Sequence, residues 1–133
     1  MDLPRVTPGL AGYAELVVGE EHTAPRIGSG KVHVLATPVM INLIEAAALD
    51  AVERLLPAGY QSLGTHLDVR HVAATPVGMR VKAVAEVTKV DGRTIFFSVF
   101  VRDEIDLVGD GAHERVVVNV AKFDQRVQGK LLR

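Results

Sequence analysis

A chain of 133 residues, 48% hydrophobic and 23% charged, has the size and balance of one folded domain with a core of its own. It has no cysteine, which excludes a disulfide framework, a thiolate metal site and a cysteine nucleophile. Fifteen Lys and Arg against sixteen Asp and Glu leave a net charge of −1, without the basic footprint of a nucleic-acid binder or of a protein held on an anionic membrane. Asp2 and Pro4 stand where an export signal would carry its basic and apolar regions. The longest apolar stretch, Val39 to Val52, is broken by Asn42, Glu45 and Asp50 and is too short to span a bilayer. The expectation is a cytoplasmic domain over 1–133, irregular at 1–12 and 125–133.

In chain order, the arm to Gly12 is rich in Pro and Gly, and a short strand follows at Tyr13 to Val18. His22 to Lys31, with Pro25, Gly28 and Gly30, reads as loop, and Val32 to Leu35 as a possible short strand. One long helix is predicted from Thr37, with Thr37 as N-cap and Pro38 at the first helical position, to about Leu56, where Pro57, Ala58 and Gly59 stop it. At 100° per residue, Asn42, Asp50, Glu53 and Arg54 share one flank, and Met40, Ile41, Ile44, Ala48, Ala51, Val52 and Leu55 form a broad apolar face.

From Ser62 the apolar period becomes two. Leu67, Val69 and His71 share a face. Val77 to Val87 alternates apolar with polar, and Asp91-Gly92 sits between two such runs as a hairpin turn. Ile95, Phe97, Val99 and Val101 continue the inward face, and a last strand runs from Leu107 to about Phe123. One helix cannot cover both faces of such a sheet. The pattern predicts an α+β hot-dog fold, a curved antiparallel sheet wrapped around the long helix, whose usual unit is a dimer.

Five residues resist a purely structural reading. Glu45 falls among Ile41, Leu49, Val52 and Leu56, where a carboxylate is costly unless paired, hydrogen-bonded or protonated. It is either a satisfied rim residue or a general base or nucleophile. His71 faces the helix side as a core histidine or a catalyst. Thr37 caps the helix by default, yet the N–H groups of a helix start can also hold an oxyanion. Gly64 is turn chemistry or a place where a ligand meets bare backbone. Arg115, on the same strand face as Gly109, Gly111 and His113, is a surface or cross-strand partner or an acyl or anion contact. The five histidines have no metal-ligand spacing, so no metal is expected.

Ala-Thr-Pro-Val-Met at 36–40 leads into Leu43-Ile44-Glu45. Then come Ser-Leu-Gly-Thr at 62–65, His-Val-Ala-Ala-Thr-Pro-Val-Gly at 71–78, Gly-Ala-His-Glu-Arg at 111–115 and Lys122-Phe123. With eight residues from Thr37 to Glu45 and twenty-six from Glu45 to His71, the chain resembles the fluoroacetyl-CoA thioesterase branch of the hot-dog thioesterases from about Val34 to Val127. The resemblance implies a catalytic set of Thr37, Glu45 and His71, substrate contacts at Gly64 and Arg115, and no cofactor besides the CoA thioester itself. It implies hydrolysis of an acyl-CoA or related thioester by a homodimer or dimer of dimers. A hot-dog hydratase or dehydratase and a non-catalytic acyl-CoA binding module are the alternatives. Before the helix the resemblance weakens. Fluoroacetyl-specific members carry an aromatic lid there, whereas Ala24 to Leu35 contains no Phe, Tyr or Trp. Eight helical residues rise about 12 Å, so Thr37 and Glu45 of one chain are not expected to meet, and a working site would combine two protomers or bridge them through substrate and water.

Overall fold

The computed structural model describes residues 2–133. Strand β1 (Ala11–Val17) is followed by a 3-10 turn (Glu20–His22) and the single-turn helix α1 (Ala24–Ile27). The long helix α2 (Thr37–Val52) comes next and ends in a 3-10 turn (Glu53–Leu55). Four strands follow, β2 (Tyr60–His71), β3 (Arg80–Asp91), β4 (Thr94–Asp103) and β5 (Leu107–Asn119), then helix α3 (Val120–Gln128) and a final 3-10 turn (Gly129–Leu132). The sheet is antiparallel with order β1-β3-β4-β5-β2. It wraps α2 in the hot-dog arrangement predicted above. Among the described residues no helix is long and apolar enough to cross a membrane.

The core is the seam between α2 and the concave face of the sheet. Met40, Ile44, Ala47, Ala48 and Val52 of α2 are fully buried against Val81, Ala83 and Ala85 of β3 and Ile95 and Val101 of β4. Each large apolar side chain buried there contributes about 1.5–3 kcal/mol. Small residues bring the layers close. A Cβ on Gly12 would overlap the backbone of Ala47 and Ala51, so only glycine lets β1 cross α2 there. One on Gly109 would meet Met40 Sδ at 2.8 Å. The Tyr13 N–H donates to Asp50 Oδ2 at 2.9 Å and pins β1 to the helix.

Several local expectations change. Thr37 is not the N-cap. The N–H groups of Leu35 and Ala36 are claimed by the carbonyls of Thr75 and His22, which makes Ala36 the last extended residue. Its carbonyl accepts from both Val39 and Met40, so Thr37 lies inside the first turn with its hydroxyl free to face elsewhere. The 32–35 segment is no strand; only Leu35 bridges, to Thr23. The arm before β1 packs Leu3 and Val6 into the core. The last strand stops at Asn119, whose side chain accepts from the Lys122 N–H and caps α3. Phe123 and the tail from Gln125, expected in a strand and in an irregular end, are therefore helical.

Two surfaces stay uncovered. β2 is an edge strand, and Leu63 and Leu67 on it are each 38% exposed. On the convex face Tyr13 and Phe100 are exposed beneath Lys82 and Arg102, whose cationic groups lie over the rings at 4.6 and 5.6 Å.

Candidate active site

The predicted site residues fall into two groups at opposite ends of one stretch of α2. At its start, Thr37 Oγ1 lies 2.7 Å from His71 Nδ1. Thr37 is the first helical residue and His71 the last of β2, so the contact joins a helix start to a strand end. Pro38 brings no N–H, and those of Val39 and Met40 go to the Ala36 carbonyl, which leaves the Thr37 N–H as the first-turn donor without a backbone acceptor among the described residues. Burial pushes the His71 imidazole below its ordinary pKa, with the Ala73 backbone pulling weakly the other way. A neutral ring can take the Thr37 hydroxyl proton at Nδ1. Its Nε2 is buried and has no hydrogen-bond partner among the described residues. A hollow of about 330 Å³, open to solvent and lined by Lys31, Val32, Leu35, Thr37, His71 and Ala73 among others, borders this pair.

Two turns along α2, Glu45 faces β2 and β5. Its Oε2 is 3.4 Å from Arg115 Nη1. A Cβ on Gly64 would sit 2.5 Å from that same oxygen and 3.2 Å from the His113 ring. A side chain at position 64 would therefore push the end of the flexible Glu45 side chain off the strand. Gly64 pairs with Arg115 across the β2–β5 ladder, and a bulge follows between Gly64 and His66. Arg115 is only 5% exposed, which removes the surface reading and makes it a buried cross-strand hub. Its Nε donates to Ser62 Oγ at 2.8 Å and its Nη2 to the Ser62 carbonyl at 3.1 Å.

The structure therefore brings Thr37 to His71, and Glu45 to Gly64 and Arg115, but does not bring the two groups together within one chain. Sequence reasoning missed three members of the second group. Glu53, read as part of the solvated flank, accepts from the Ser62 N–H at 3.0 Å and from its hydroxyl at 2.6 Å. Ser62 is buried, and His113 is fully buried. The available signal was the alternation that puts His113 on the face of Arg115. Among the described residues no group of three or more His, Asp or Glu side chains is placed to hold a metal ion.

The family follows from comparison with known proteins. Residues 18–121 match the family model described as fluoroacetyl-CoA-specific thioesterase. The chain belongs to this family. The fluoroacetyl-CoA thioesterase of Streptantibioticus cattleyicolor is 41% identical over 97 residues, which cover 73% of this chain and 70% of that protein. A solved structure of the fluoroacetyl-CoA thioesterase FlK matches with a TM-score of 0.89 at 34% identity, covering 94% of this chain and 97% of that one. A thioesterase superfamily member from Thermus thermophilus gives 0.86 at 30% identity over 95% and 96% of the two chains. A hot-dog-like protein from Thermanaerovibrio acidaminovorans, 23% identical with a TM-score of 0.88 over 98% and 97%, shares the fold. The span matched to the fluoroacetyl-CoA-specific thioesterase family contains Thr37, Glu45, Gly64, His71 and Arg115.

Proposed function

We propose that this protein hydrolyses acyl-CoA thioesters, with Thr37, Glu45 and His71 as the catalytic set of a homodimer. The observation that carries the reading is the 2.7 Å contact between the Thr37 hydroxyl and a neutral His71 beside an open hollow, in a chain of this family. The thioester carbonyl is attacked by water or by the Thr37 oxygen. His71 takes the proton released and returns it to the departing thiolate; where Thr37 attacks, water then cleaves the acyl–Thr37 ester with His71 moving its proton back to Oγ1, and the acid leaves. The Thr37 N–H and the bare backbone at Gly64 are suited to the oxyanion, and Arg115, with four of its five N–H donors committed, keeps one for a substrate-side contact.

Three observations support a site shared between protomers. The rise along α2 separates Thr37 from Glu45 by about 12 Å. The buried His71 Nε2 has no hydrogen-bond partner among the described residues. An apolar patch on the Glu45 side, made of half-buried Ile41, exposed Leu49 and the uncovered edge residue Leu67, is left for a second copy to cover. In this reading the second copy's Glu45 completes the pair at Thr37 and His71.

Among the described residues the hollow is lined by no Phe, Tyr or Trp. A preference for fluoroacetyl over acetyl is therefore not transferred, and aliphatic acyl groups fit its apolar walls. The test is free-thiol release from a panel running from acetyl and fluoroacetyl through longer aliphatic to phenylacetyl-CoA, with Glu45→Gln as control. Release that vanishes in the control establishes the hydrolase and its acyl class. Saturable binding without release sinks the reading in favour of a binding module.

A further inference from the structure

His113 has two ring nitrogens with opposite tasks. Nδ1 lies 2.8 Å from the His66 carbonyl oxygen, which can only accept, so Nδ1 carries the proton. Nε2 is then a bare lone pair, and it lies 3.2 Å from Arg115 Nη1, which can only donate. The two contacts demand the same tautomer of a neutral ring. The ring is 0% exposed and stacks on Phe97 with centroids 5.8 Å apart, so it has no freedom to rotate out of this arrangement.

Arg115 is thus clamped before it meets Glu45. Ser62 holds Nε and Nη2, Glu53 holds Ser62, and His113 occupies one of the two N–H groups of Nη1. Only the other is directed to Glu45, at the long distance of 3.4 Å. A guanidinium with free N–H groups closes on a carboxylate in a short two-bond pair. Here Ser62 and His113 hold the guanidinium, and Glu45 rests beside Gly64 through that one long contact with its side chain still 38% exposed.

We propose that His113 is a positioning residue of the thioesterase site: as a fixed neutral acceptor it holds the Arg115 guanidinium in place and so fixes the Glu45 carboxylate beside Gly64, part-exposed for reaction. The inference rests on reading Glu45 as part of the working site. It adds a residue that never touches substrate. The groups facing the ring are the His66 carbonyl from β2, Glu45 from α2, and Arg115 and Glu114 from β5, with Phe97 of β4 stacked on it. Burial, with the Arg115 charge acting the same way, pushes the imidazole below its ordinary pKa, while the His66 carbonyl and the two carboxylates oppose. The acceptor form therefore persists at neutral pH.

The test compares thiol release by wild type, His113→Phe, His113→Gln and Glu45→Gln, and by the double variant that joins His113→Phe to Glu45→Gln, with thermal unfolding as the check on folding. Phe keeps the stack on Phe97 and removes the acceptor. Gln returns an oxygen near the place of Nε2. The expected result is a kcat lowered about 10- to 100-fold by His113→Phe with KM nearly unchanged, since displacement of a reacting group by about 1 Å has that effect. His113→Gln recovers most of it, and His113→Phe adds nothing once Glu45 is already Gln. Unchanged kcat, a change in KM alone, or an effect that adds fully to that of Glu45→Gln overturns the proposal. Turnover that survives Glu45→Gln itself overturns the site reading beneath it. Independently of any variant, nitrogen NMR of the wild type at pH 7 must find His113 neutral and protonated at Nδ1; a protonated Nε2 overturns the proposal.

Discussion

The two ends of the functional stretch of α2 are built on opposite plans. At Thr37 and His71 a single side-chain hydrogen bond joins the pair, one buried ring nitrogen is left without a partner, and a hollow opens alongside. At Glu45 the partners are themselves partnered, in a chain from Glu53 through Ser62 and Arg115 to His113 and the His66 carbonyl. A buried polar atom without a partner is destabilising, so it survives where something arriving from outside will satisfy it. A saturated network does the reverse and fixes the direction of one group at its rim. The first end reads as the place where chemistry happens, the second as the mount for a single carboxylate.

The strongest way to break that division is to remove the sparse end. His71→Ala and Thr37→Ala should each lower turnover by about 10²- to 10⁴-fold while leaving the unfolding midpoint nearly unchanged, as thiol release and thermal unfolding will read. If the ends work together across two protomers, mixing inactive His71→Ala with inactive Glu45→Gln should restore activity. Random pairing then yields about a quarter of the wild-type rate, because half the dimers each carry one intact site. No recovery on mixing would place each site within one chain and sink the shared arrangement.

The saturated end should fail in a different currency. Arg115→Met removes four hydrogen bonds and leaves the Ser62 carbonyl and His113 Nε2 without their donor in a buried setting. A loss of about 2–4 kcal/mol in denaturant unfolding is expected. A loss well under 1 kcal/mol would mean that the network is decorative.

Acid should weaken the fold through both ends. His71 and His113 have folded pKa values below the ordinary 6.5. Between those depressed values and 6.5 the unfolded chain binds protons that the folded chain refuses, so stability falls as pH drops through that window and is unaffected above it. Denaturant titrations from about pH 7.5 to pH 5 should show this slope, and His113→Gln should make it shallower by removing one contribution. A slope of the opposite sign would refute the neutral assignment of both rings.

What could be read from sequence is what is local. The alternation through Val81 to Val87, the Asp91-Gly92 turn and the Pro57-Ala58-Gly59 stop each sit within a few residues of the feature they create. Helix α3 escaped because the apolar, β-branched run Val116 to Val118 is followed at once by Val120, with Phe123 close behind, and the cap that ends the strand is the single side chain of Asn119. Glu45 and His71 stood out as polar residues on apolar faces. Arg115 was left open between a surface and a cross-strand role because its partners Ser62 and Glu45 lie 53 and 70 residues away, a separation no periodicity encodes. Glu53 was hidden for the same reason. Its helical angle marks a solvated flank, and only the return of β2 past the end of α2 gives it the Ser62 N–H and hydroxyl.

Glu53 also sets the finest test of how far the held end extends. Glu53→Gln keeps the shape of the side chain but offers only one carbonyl oxygen. If that oxygen accepts from the Ser62 N–H, the new amide faces Ser62 Oγ, which already accepts from Arg115 Nε. The serine hydroxyl must then redirect its own proton, and one charge-assisted bond is lost. Because Glu53 is only half-buried, water can take over part of that bond, and the expected cost is about 1 kcal/mol in denaturant unfolding. Turnover should fall by no more than a few-fold, since Arg115 keeps the Ser62 carbonyl and His113 as anchors. A loss in turnover as large as that of His71→Ala would mean that rigidity at this end is itself rate-determining, and the division between a reactive end and a mounting end would have to be abandoned.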